Sequence, residues 1–356
     1  IKDGATNLDA IRSGTRSISR LIKNGDMVVL RSTVRIGVSR ELVKPILDKA
    51  VSSFSLAFCP ERTLEGKALA ELRSLPQIIG GMDDASAVRA AQMFNFVTPT
   101  TVRVRDLETA EMIKLINNTQ RDLMFAFANE VAEMCDFVGV SAVEVIKAGN
   151  MGYSRASMPM PGPVGGPCLE KDPYILAEGV KIRGGLARLS LLGREVNEGL
   201  PQRVVARLEA SLGDRPVSRI VIAGLAFKGR PETGDLRGSL VIPLIGHLRT
   251  RFPEAEIVGF DPAVPPEDAR PLGVTYSATV EEAFNGADAV IFQNNNPRFE
   301  RLDMSELSTR LSRDAVIYDL WNQFDVEVLE LRPDVTYFGL GSQILAQRKP
   351  GSRSSR

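Results

Sequence analysis

The sequence predicts an α/β protein in which two doubly wound sheets are joined by a central domain of long helices. Three observations lead to this prediction. Apolar, strand-like runs alternate with helical segments through the N-terminal third of the chain. A run from Asp106 to about Val138 contains neither Gly nor Pro, and a new strand–helix alternation begins at Ser218. Strands that alternate with helices form parallel sheets with both faces covered.

Length and composition indicate a globular protein of two or three domains. The chain has 356 residues, of which 44% are hydrophobic and 25% charged, and its 44 basic residues balance 44 acidic ones. This balance argues against bulk attraction to nucleic acid or to an anionic membrane, so an anionic substrate would need local lysines and arginines. The sequence contains no apolar run long enough to span a bilayer and no signal-peptide pattern. We therefore expect neither nucleic acid nor a membrane as a partner.

The three cysteines, Cys59, Cys135 and Cys168, are an odd number at unrelated spacings. They argue against a disulfide framework and predict a reducing, cytoplasmic location. The single histidine, His247, belongs to no cluster of metal-ligating residues, so we expect no metal site. The chain opens on Ile1 with residues typical of a domain interior, and we expect an N-terminal portion to precede it.

The N-terminal third contains the first predicted helices and strands. The helices are Thr6–Asn24, capped by Asn7, and about Arg40–Ala50, and the strands are Met27–Val34, Phe54–Phe58, Pro76–Gly81 and Thr101–Arg105. Parallel sheets bind ligands at the carboxyl ends of their strands. Thr33 and Glu61 are placed at two of these ends.

The helical run from Asp106 would extend roughly 45–50 Å, more than a small α/β layer needs. Lys114 and Asn118 lie four residues apart on one face of it, among apolar residues. Such a lysine usually extends to solvent along apolar surface, and the alternative is that it points into a site. Ser141 and Glu144 form a capping box for a short helix. A second long helical run, about Leu186–Leu212 and bent at Pro201, follows, and exposed faces of the long helices are candidates for a dimer interface.

The loop Met160–Leu176 combines glycines, prolines and a cysteine. We expect Gly162, Gly165 and Gly166 to let the backbone pass close to a ligand where a β-carbon would collide. Cys168 precedes by one turn a helix that Asp172 would cap and Pro173 would start, with Lys171 beside it. We expect a thiol at the start of a helix and beside a lysine to be a candidate nucleophile. The alternative is a buried cysteine and a simple helix cap.

The C-terminal alternation predicts a second doubly wound sheet. Its strands are Arg219–Phe227, Glu256–Asp261, Ala287–Gln293, Ala315–Leu320 and Val335–Leu340, and its helices are Ser239–Phe252 and Val280–Asn285. Gly224 to Gly229 does not form the Gly-x-Gly-x-x-Gly dinucleotide pattern, so Asp261, at the end of the second strand, has little support as a ribose-binding acid. Candidates for gripping phosphate are Lys228, Arg230 and Arg237, whose alternative is an ordinary solvated loop.

Five ordered motifs resemble the nucleotide-sugar 6-dehydrogenases of the UDP-glucose/GDP-mannose dehydrogenase family. They are Ser32-Thr33-Val34; Phe58-Cys-Pro-Glu-Arg62 with Glu65-Gly66; Glu111-Met-Ile-Lys-Leu-Ile-Asn-Asn-Thr119; Gly165-Gly-Pro-Cys-Leu-Glu-Lys-Asp172; and Gly224-Leu-Ala-Phe-Lys228 with Thr233, Asp235 and Arg237. The resemblance covers nearly the whole chain. It implies that a sugar C6 alcohol is oxidised to a carboxylate with two NAD molecules, for surface polysaccharide biosynthesis.

The resemblance also implies residue roles. Cys168 would capture the intermediate aldehyde as a thiohemiacetal, and a thioester would follow. Lys114 would stabilise the oxyanion, Asp172 and Asn118 would place water or alkoxide, and Glu61 would act as general base with water held by Thr33. The implied contacts to the UDP-sugar substrate are Arg62, Arg155 (which would reach a neighbouring subunit), Gly162, Gly165, Gly166, Phe227 and Lys228. The implied NAD contacts are Thr33, Glu65, Lys171 and Arg237.

Two departures from the family pattern affect the expected substrate. The family usually has an arginine in the segment corresponding to Asp319–Gln323, where this chain has Trp321. Arg62 resembles the branch that acts on UDP-N-acetylhexosamines, so we expect UDP-N-acetylglucosamine or UDP-N-acetylmannosamine, with UDP-glucose or GDP-mannose as alternatives. A non-catalytic nucleotide-sugar-binding protein and a dehydrogenase of the 6-phosphogluconate or β-hydroxyacid type are the other hypotheses.

We therefore predict four segments, with two Rossmann-like domains flanking the helical one. Residues 1–105 would be the remainder of an NAD-binding domain, incomplete because the family's glycine-rich NAD loop would precede Ile1. Residues 106–215 would form the central domain with the cysteine loop and a homodimer or higher oligomer interface. Residues 216–347 would bind the UDP-sugar, and 348–356 would be a disordered tail.

Overall fold

The structure, a computed structural model, describes residues 6–342. The predicted tail at 348–356 lies outside the described residues. The chain forms two compact units: the described part of Ile1–Asp122 with Cys168–Leu192, and Leu123–Pro167 with the described part of Gly193–Arg356. Among residues 6–342, no helix combines the length and the apolar content needed to cross a membrane.

The elements follow one another in the predicted alternation. Up to the end of the long helix they are α1 (Asp9–Ser19), β1 (Met27–Leu30), α2 (Lys44–Asp48), β2 (Ser55–Phe58), α3 (Ala68–Ser74), β3 (Gln77–Gly81), α4 (Asp84–Phe94), β4 (Thr101–Val104) and α5 (Leu107–Val138). They continue with α6 (Ala142–Asn150), α7 (Asp172–Lys181), α8 (Arg188–Glu198), α9 (Leu200–Leu212), β5 (Arg219–Ala223), α10 (Val241–Arg251), β6 (Glu256–Phe260), α11 (Pro266–Ala269), β7 (Thr275–Tyr276), α12 (Val280–Phe284), β8 (Ala289–Phe292), α13 (Met304–Thr309), β9 (Val316–Asp319) and β10 (Thr336–Gly339).

The sheet of the first unit has the order β1-β2-β3-β4. The β1/β2 and β3/β4 pairs are parallel, but β2 and β3 are antiparallel, which the sequence analysis did not predict. The reason lies in the connection, which contains α3 and does not return to the start of β2. Gln77, the first residue of β3, donates from its side chain to the carbonyl of Pro60, just beyond the end of β2. The chain therefore enters β3 from the edge at which β2 ends.

The sheet of the second unit has the order β10-β9-β8-β5-β6-β7, and every pair is parallel. Numbered along the domain, this is the order 3-2-1-4-5-6 read from the β7 edge, the Rossmann arrangement. Its central strands β5 and β8 are buried except for the first residue of β5, as a sheet covered on both faces requires. The predicted second doubly wound sheet is confirmed.

Several predicted element boundaries were wrong. The first helix is shorter than Thr6–Asn24, and its N-cap is Leu8, while the Asn7 side chain accepts a hydrogen bond from the Asp9 N–H at 2.8 Å. The run after Thr33 begins with a π-helical turn, Ser39–Val43, before α2. The second long helical run is interrupted at Gly199 and not bent at Pro201, which lies in the first turn of α9. Helices α3 and α4 were not predicted at all.

Candidate functional site

The face of α5 in the first unit carries a lysine and an amide that meet the start of α7. The Lys114 side chain is largely buried, with 8% of its surface exposed, and does not extend into solvent. One turn later, Asn118 donates from Nδ2 to Oδ2 of Asp172 at 2.5 Å. The predicted residues Lys114, Asn118 and Asp172 are thus associated in one group, because Lys114 also acts electrostatically on Asp172.

Asp172 is fully buried, yet only one of its oxygens is hydrogen bonded within the described part of the chain. Burial raises the pKa of this carboxyl, and the hydrogen bond from Asn118 and the charges of Lys114 and Lys171 act against the rise. The predicted cap role was wrong. Lys171 holds the N-cap position of α7, and the Asp172 side chain turns towards α5. Pro173 does lie in the first turn, as predicted.

Cys168 lies one turn before α7 and is exposed, whereas Cys59 and Cys135 are buried. Its carbonyl accepts the backbone N–H of Asp172 at 2.9 Å, so the cysteine backbone is tied to the first residue of the helix. Burial raises the pKa of Cys59 to about 12, which leaves that thiol inert. Cys168 therefore does not fit the alternative of a buried structural cysteine.

Glu61 and Thr33 lie beyond the carboxyl ends of the parallel strands β2 and β1. Glu61 forms an ion pair with Arg31 at 2.6 Å, and its other oxygen accepts the backbone N–H groups of Arg62 and Thr63, both at 2.9 Å. Burial acts to raise the Glu61 pKa, but these hydrogen bonds and the Arg31 charge outweigh it and lower the pKa. Arg31 was not among the predicted site residues, although it directly precedes the Ser-Thr motif.

Glu111 is a second residue whose role sequence reasoning missed. Its carboxylate is fully buried on α5 and accepts the backbone N–H groups of Gly37 at 2.5 Å and Ser39 at 2.9 Å. Burial raises its pKa despite these hydrogen bonds. Helix α7 contacts the same turn, because its residue Ile175 packs in one buried cluster with Ile36, and Arg183, just after the helix, donates to the carbonyl of Ile36 at 3.0 Å. The turn after Thr33 is therefore held by both helices that carry the Lys114–Asn118–Asp172 group.

In the second unit, the three predicted glycines are packed against the protein itself. A β-carbon at Gly162 would lie 2.7–2.8 Å from the indole ring of Trp321. One at Gly165 would collide with the Gly238 carbonyl, and one at Gly166, where φ is +93°, would collide with the Phe227 ring. The expectation that these glycines also let the backbone pass close to a ligand stays a prediction. Their demonstrated role is to let the loop contact its own domain.

In the loop between β5 and α10, an aspartate of the protein accepts two of the backbone N–H groups. Asp261 Oδ2 accepts the backbone N–H groups of Leu225 at 2.6 Å and Ala226 at 3.0 Å, and the amide of Asn294 at 3.1 Å. The Asp261 carboxylate therefore has a structural role in this turn.

The remaining predicted residues occupy more exposed positions. Lys228 lies over the Phe227 ring at 5.1 Å. Arg237 is 72% exposed and pairs with Asp235 at 2.6 Å, and Arg230 pairs with Glu300. Arg155 stacks on Tyr153 with 4.7 Å between guanidinium and ring. In the first unit, Arg62 donates to the carbonyl of Pro76, Glu65 is exposed, and Lys171 is partly exposed.

The residues present in the first unit are compatible with part of a dinucleotide site. The parallel strands β1 and β2 end side by side, with Leu30 paired to Phe58, and polar segments containing Thr33 and Glu61 follow. This is the sheet edge at which α/β proteins bind nucleotides. The part of the first unit that is compatible with a dinucleotide is this edge of the sheet, together with the loops that follow β1 and β2.

Three family models match the chain. They describe the NAD binding domain (residues 1–98), the central domain (108–199) and the UDP binding domain (221–326) of the UDP-glucose/GDP-mannose dehydrogenase family. The chain is also similar to characterised proteins. It is 30% identical to a UDP-N-acetyl-D-mannosamine dehydrogenase of Yersinia pestis, over 83% of this chain and 74% of the relative.

A second relative and a solved structure are named for two different sugars. An NDP-N-acetyl-D-galactosaminuronic acid dehydrogenase of Ralstonia solanacearum is 31% identical over 88% of this chain and 75% of its own length. The solved structure of a UDP-D-ManNAc dehydrogenase from Pyrococcus horikoshii superposes with a TM-score of 0.83 at 26% identity, covering 96% of this chain and 78% of that one. The chain therefore belongs to the UDP-glucose/GDP-mannose dehydrogenase family and is an NAD-dependent nucleotide-sugar dehydrogenase.

Proposed function

We propose that the protein oxidises the C6 alcohol of a UDP-N-acetylhexosamine, UDP-N-acetylglucosamine or UDP-N-acetylmannosamine, to the uronate. The chemical part of this proposal rests on one observation at the start of α7. The buried Asp172 carboxyl, whose pKa is raised, is associated there with Asn118 and the buried Lys114. The exposed Cys168 lies one turn earlier in the chain. The sugar is supported by the relatives, whose names specify N-acetylated sugars.

In this proposal Cys168 is the nucleophile. NAD, when bound, accepts hydride from the sugar carbon in each of the two oxidations. The thiol of Cys168 captures the intermediate aldehyde as a thiohemiacetal, which is oxidised to a thioester. Lys114 stabilises the oxyanion, because a buried ammonium interacts strongly with developing negative charge in a site with little water.

Hydrolysis of the thioester requires a water molecule and a base. Asp172 and Asn118 place the water or alkoxide, for which the unpaired oxygen of Asp172 provides an acceptor. Glu61 accepts a proton through water held by Thr33, and its lowered pKa keeps it in the ionised form at neutral pH.

The ligand contacts are assigned by residue type and exposure. Lys228 is a cation suited to the diphosphate of a nucleotide sugar, and Phe227 lies beside it. Arg62 is assigned to the substrate. Arg155, exposed on its loop, reaches a neighbouring subunit. The glycine-rich loop at 162–166 holds the nucleotide sugar. NAD contacts are assigned to Thr33, Glu65, Lys171 and Arg237.

We propose a homodimer formed through α5. An apolar stripe is exposed on the part of this helix in the second unit, with Phe127 52%, Met134 47% and Phe137 86% exposed. Such a stripe on a long helix is typical of a subunit interface. Phe137→Glu is expected to shift the sedimentation coefficient to that of a monomer. The free thiols favour a reducing compartment, and we propose the cytoplasm.

The proposal is tested by NADH formation from the full chain with four nucleotide sugars in parallel: UDP-glucose, UDP-N-acetylglucosamine, UDP-N-acetylmannosamine and UDP-N-acetylgalactosamine. Two NADH per sugar with UDP-N-acetylglucosamine or UDP-N-acetylmannosamine is the expected result. Preference for UDP-glucose or UDP-N-acetylgalactosamine would overturn the sugar assignment. Absence of NADH with all four would overturn the proposed reaction.

Cys168→Ser separates chemistry from binding. We expect net turnover to the uronate to stop, because a hydroxyl at this position is a far weaker nucleophile than a thiol. The affinity for UDP, measured by calorimetry, should stay within about twofold, since the thiol makes no contact with the nucleotide in this proposal. Wild-type turnover in the variant would remove Cys168 from the mechanism.

A further inference from the structure

Trp321, the single tryptophan of the chain, is fixed in orientation by several contacts within the second unit. Its Nε1 donates to the carbonyl of Gln293 at 3.0 Å, and its backbone N–H donates to Oδ1 of Asp319 at 3.0 Å. Phe125 contacts the ring edge-to-face, with the ring centroids 6.5 Å apart. The ring is only partly buried, and its face lies against Gly162.

Asn129 holds Gly162 through hydrogen bonds to its backbone. Its side-chain oxygen accepts the Gly162 N–H at 2.8 Å, and its Nδ2 donates to the Gly162 carbonyl at 3.1 Å. The same nitrogen donates to Oδ1 of Asn197 at 3.0 Å. Asn129 is 2% exposed, so its amide is removed from water and pairs with both the N–H and the C=O of Gly162.

Gly162 is thus held by an amide that pairs with its backbone and by the indole ring at its α-carbon. We call Asn129, Gly162 and Trp321 the Gly162 clamp. The other end of the loop is attached separately, because the Gly166 N–H donates to the Gly238 carbonyl at 2.8 Å. A loop fixed at both ends loses little conformational entropy when a ligand binds. If one end were released, the loop would lose more entropy on binding, and the affinity would fall.

We propose that the Gly162 clamp positions the glycine-rich loop for the nucleotide sugar, and that Trp321 and Asn129 are positioning residues for its affinity. This inference rests on the proposed function, in which the loop holds the nucleotide sugar. Because the clamp acts on the loop and not on the reacting carbon, its loss weakens ground-state binding and leaves the chemical step largely intact.

The test is a double-mutant cycle on the full chain. Gly162→Ala places a methyl group against the Trp321 ring, where it collides. We expect the Kd for UDP and the KM for the nucleotide sugar to rise about tenfold, and kcat to stay within about twofold of wild type. Trp321→Ala alone should raise the Kd less, and adding it to Gly162→Ala should recover part of the lost affinity, because the collision is gone. Gly246→Ala, in α10 with open space around its α-carbon, is the matched control and should change none of these values.

Each outcome is decisive. Additive effects of the two substitutions, or an unchanged Kd in Gly162→Ala, would overturn the clamp while leaving the proposed function intact. If the wild-type chain does not bind UDP, both the proposed function and the clamp's role fail. Should Gly162→Ala not fold, Asn129→Asp serves instead: it keeps the acceptor and loses the donor, and a rise in KM of about threefold or more at unchanged kcat is expected. An unchanged KM in Asn129→Asp would overturn the proposal.

Discussion

Asp172 in the first unit and Asp261 in the second are both buried aspartates, with 0% and 2% of their surface exposed, but their surroundings differ. The Asp261 carboxylate accepts hydrogen bonds from the backbone N–H groups of Leu225, Ala226 and Ala263 and from the side chain of Asn294. The Asp172 carboxylate accepts one from Asn118, and its second oxygen has no partner within residues 6–342.

The difference separates a structural carboxylate from one that is available for chemistry. Burial of a carboxylate is costly unless hydrogen bonds replace the lost water. Around Asp261 this replacement is complete, so the side chain fixes the Leu225–Ala226 turn. Around Asp172 it is incomplete, which raises the pKa and leaves an acceptor for water or substrate. Such incompletely paired, titrating groups are concentrated at active sites.

The largest effect is expected for Asp172→Asn. The amide keeps the shape and the contact with Asn118 but cannot ionise, so we expect kcat to fall by about 10²–10³-fold. The urea midpoint should stay the same or rise, because a poorly paired buried charge has been removed. Steady-state kinetics and urea unfolding on the same sample test both parts. If Asp172→Asn lost stability and kept full activity, Asp172 would be a structural carboxylate and not one that serves the reaction.

The same substitution at the other aspartate should have the opposite consequence. In Asp261→Asn one acceptor is replaced by a donor that faces backbone N–H groups, and we expect the free energy of unfolding to fall by about 2–4 kcal/mol. At a temperature where the variant is folded, kcat should stay within about twofold of wild type. A large kcat loss in fully folded Asp261→Asn would show that this carboxylate also serves the reaction.

A pH series sharpens the comparison further. The folded-state pKa of Asp172 lies above the ordinary value of 3.8. In the pH window between 3.8 and the folded-state pKa, the folded chain therefore binds more protons than the unfolded one. The contribution of Asp172 to stability is therefore greatest at low pH and is lost as the pH rises through its folded pKa. Relative to Asp172→Asn, the wild type should become less stable across this window in urea unfolding. A difference independent of pH would contradict the raised pKa.

The smallest effect is expected for Asn118→Ala. Removal of the one hydrogen bond to Asp172 should raise the pKa of the carboxyl further, since that bond favours the ionised form. We expect kcat to fall about threefold to tenfold and the acidic limb of the pH–rate profile to move to higher pH. A limb that moves to lower pH would exclude Asp172 as the group that produces it.

The sequence predicted the polar residues of the site better than their contacts. Lys114 and Asn118 could be found because helical spacing places residues four apart on one face, and that spacing is a local property. The direction of Asp172 could not be found, since a carboxylate at a helix start is a cap in most sequences and only the neighbouring Asn118 overrides this. The partners of Gly162 and Gly166 were equally inaccessible, because Trp321 and Phe227 are distant in sequence.

The same limit applies to the two sheets. The strands of the second sheet are continuous apolar runs separated by helices, and this pattern predicts parallel pairing. The strands β2 and β3 have a similar pattern but run antiparallel. Their direction is decided by where the connecting chain packs, as the contact between Gln77 and Pro60 illustrates. The predicted domain boundaries and residue roles remain to be tested by experiment.

Because the three thiols differ in exposure, a thiol reagent can count the chains whose Cys168 is accessible. Cys59 and Cys135 are buried, and burial raises the pKa of both, whereas Cys168 is exposed. A mild thiol reagent applied to the folded protein should therefore modify one sulfur per chain, the one proposed to react with the substrate. The amount of reagent consumed measures the fraction of chains with an accessible nucleophile, and a preparation can be standardised by that fraction instead of by total protein.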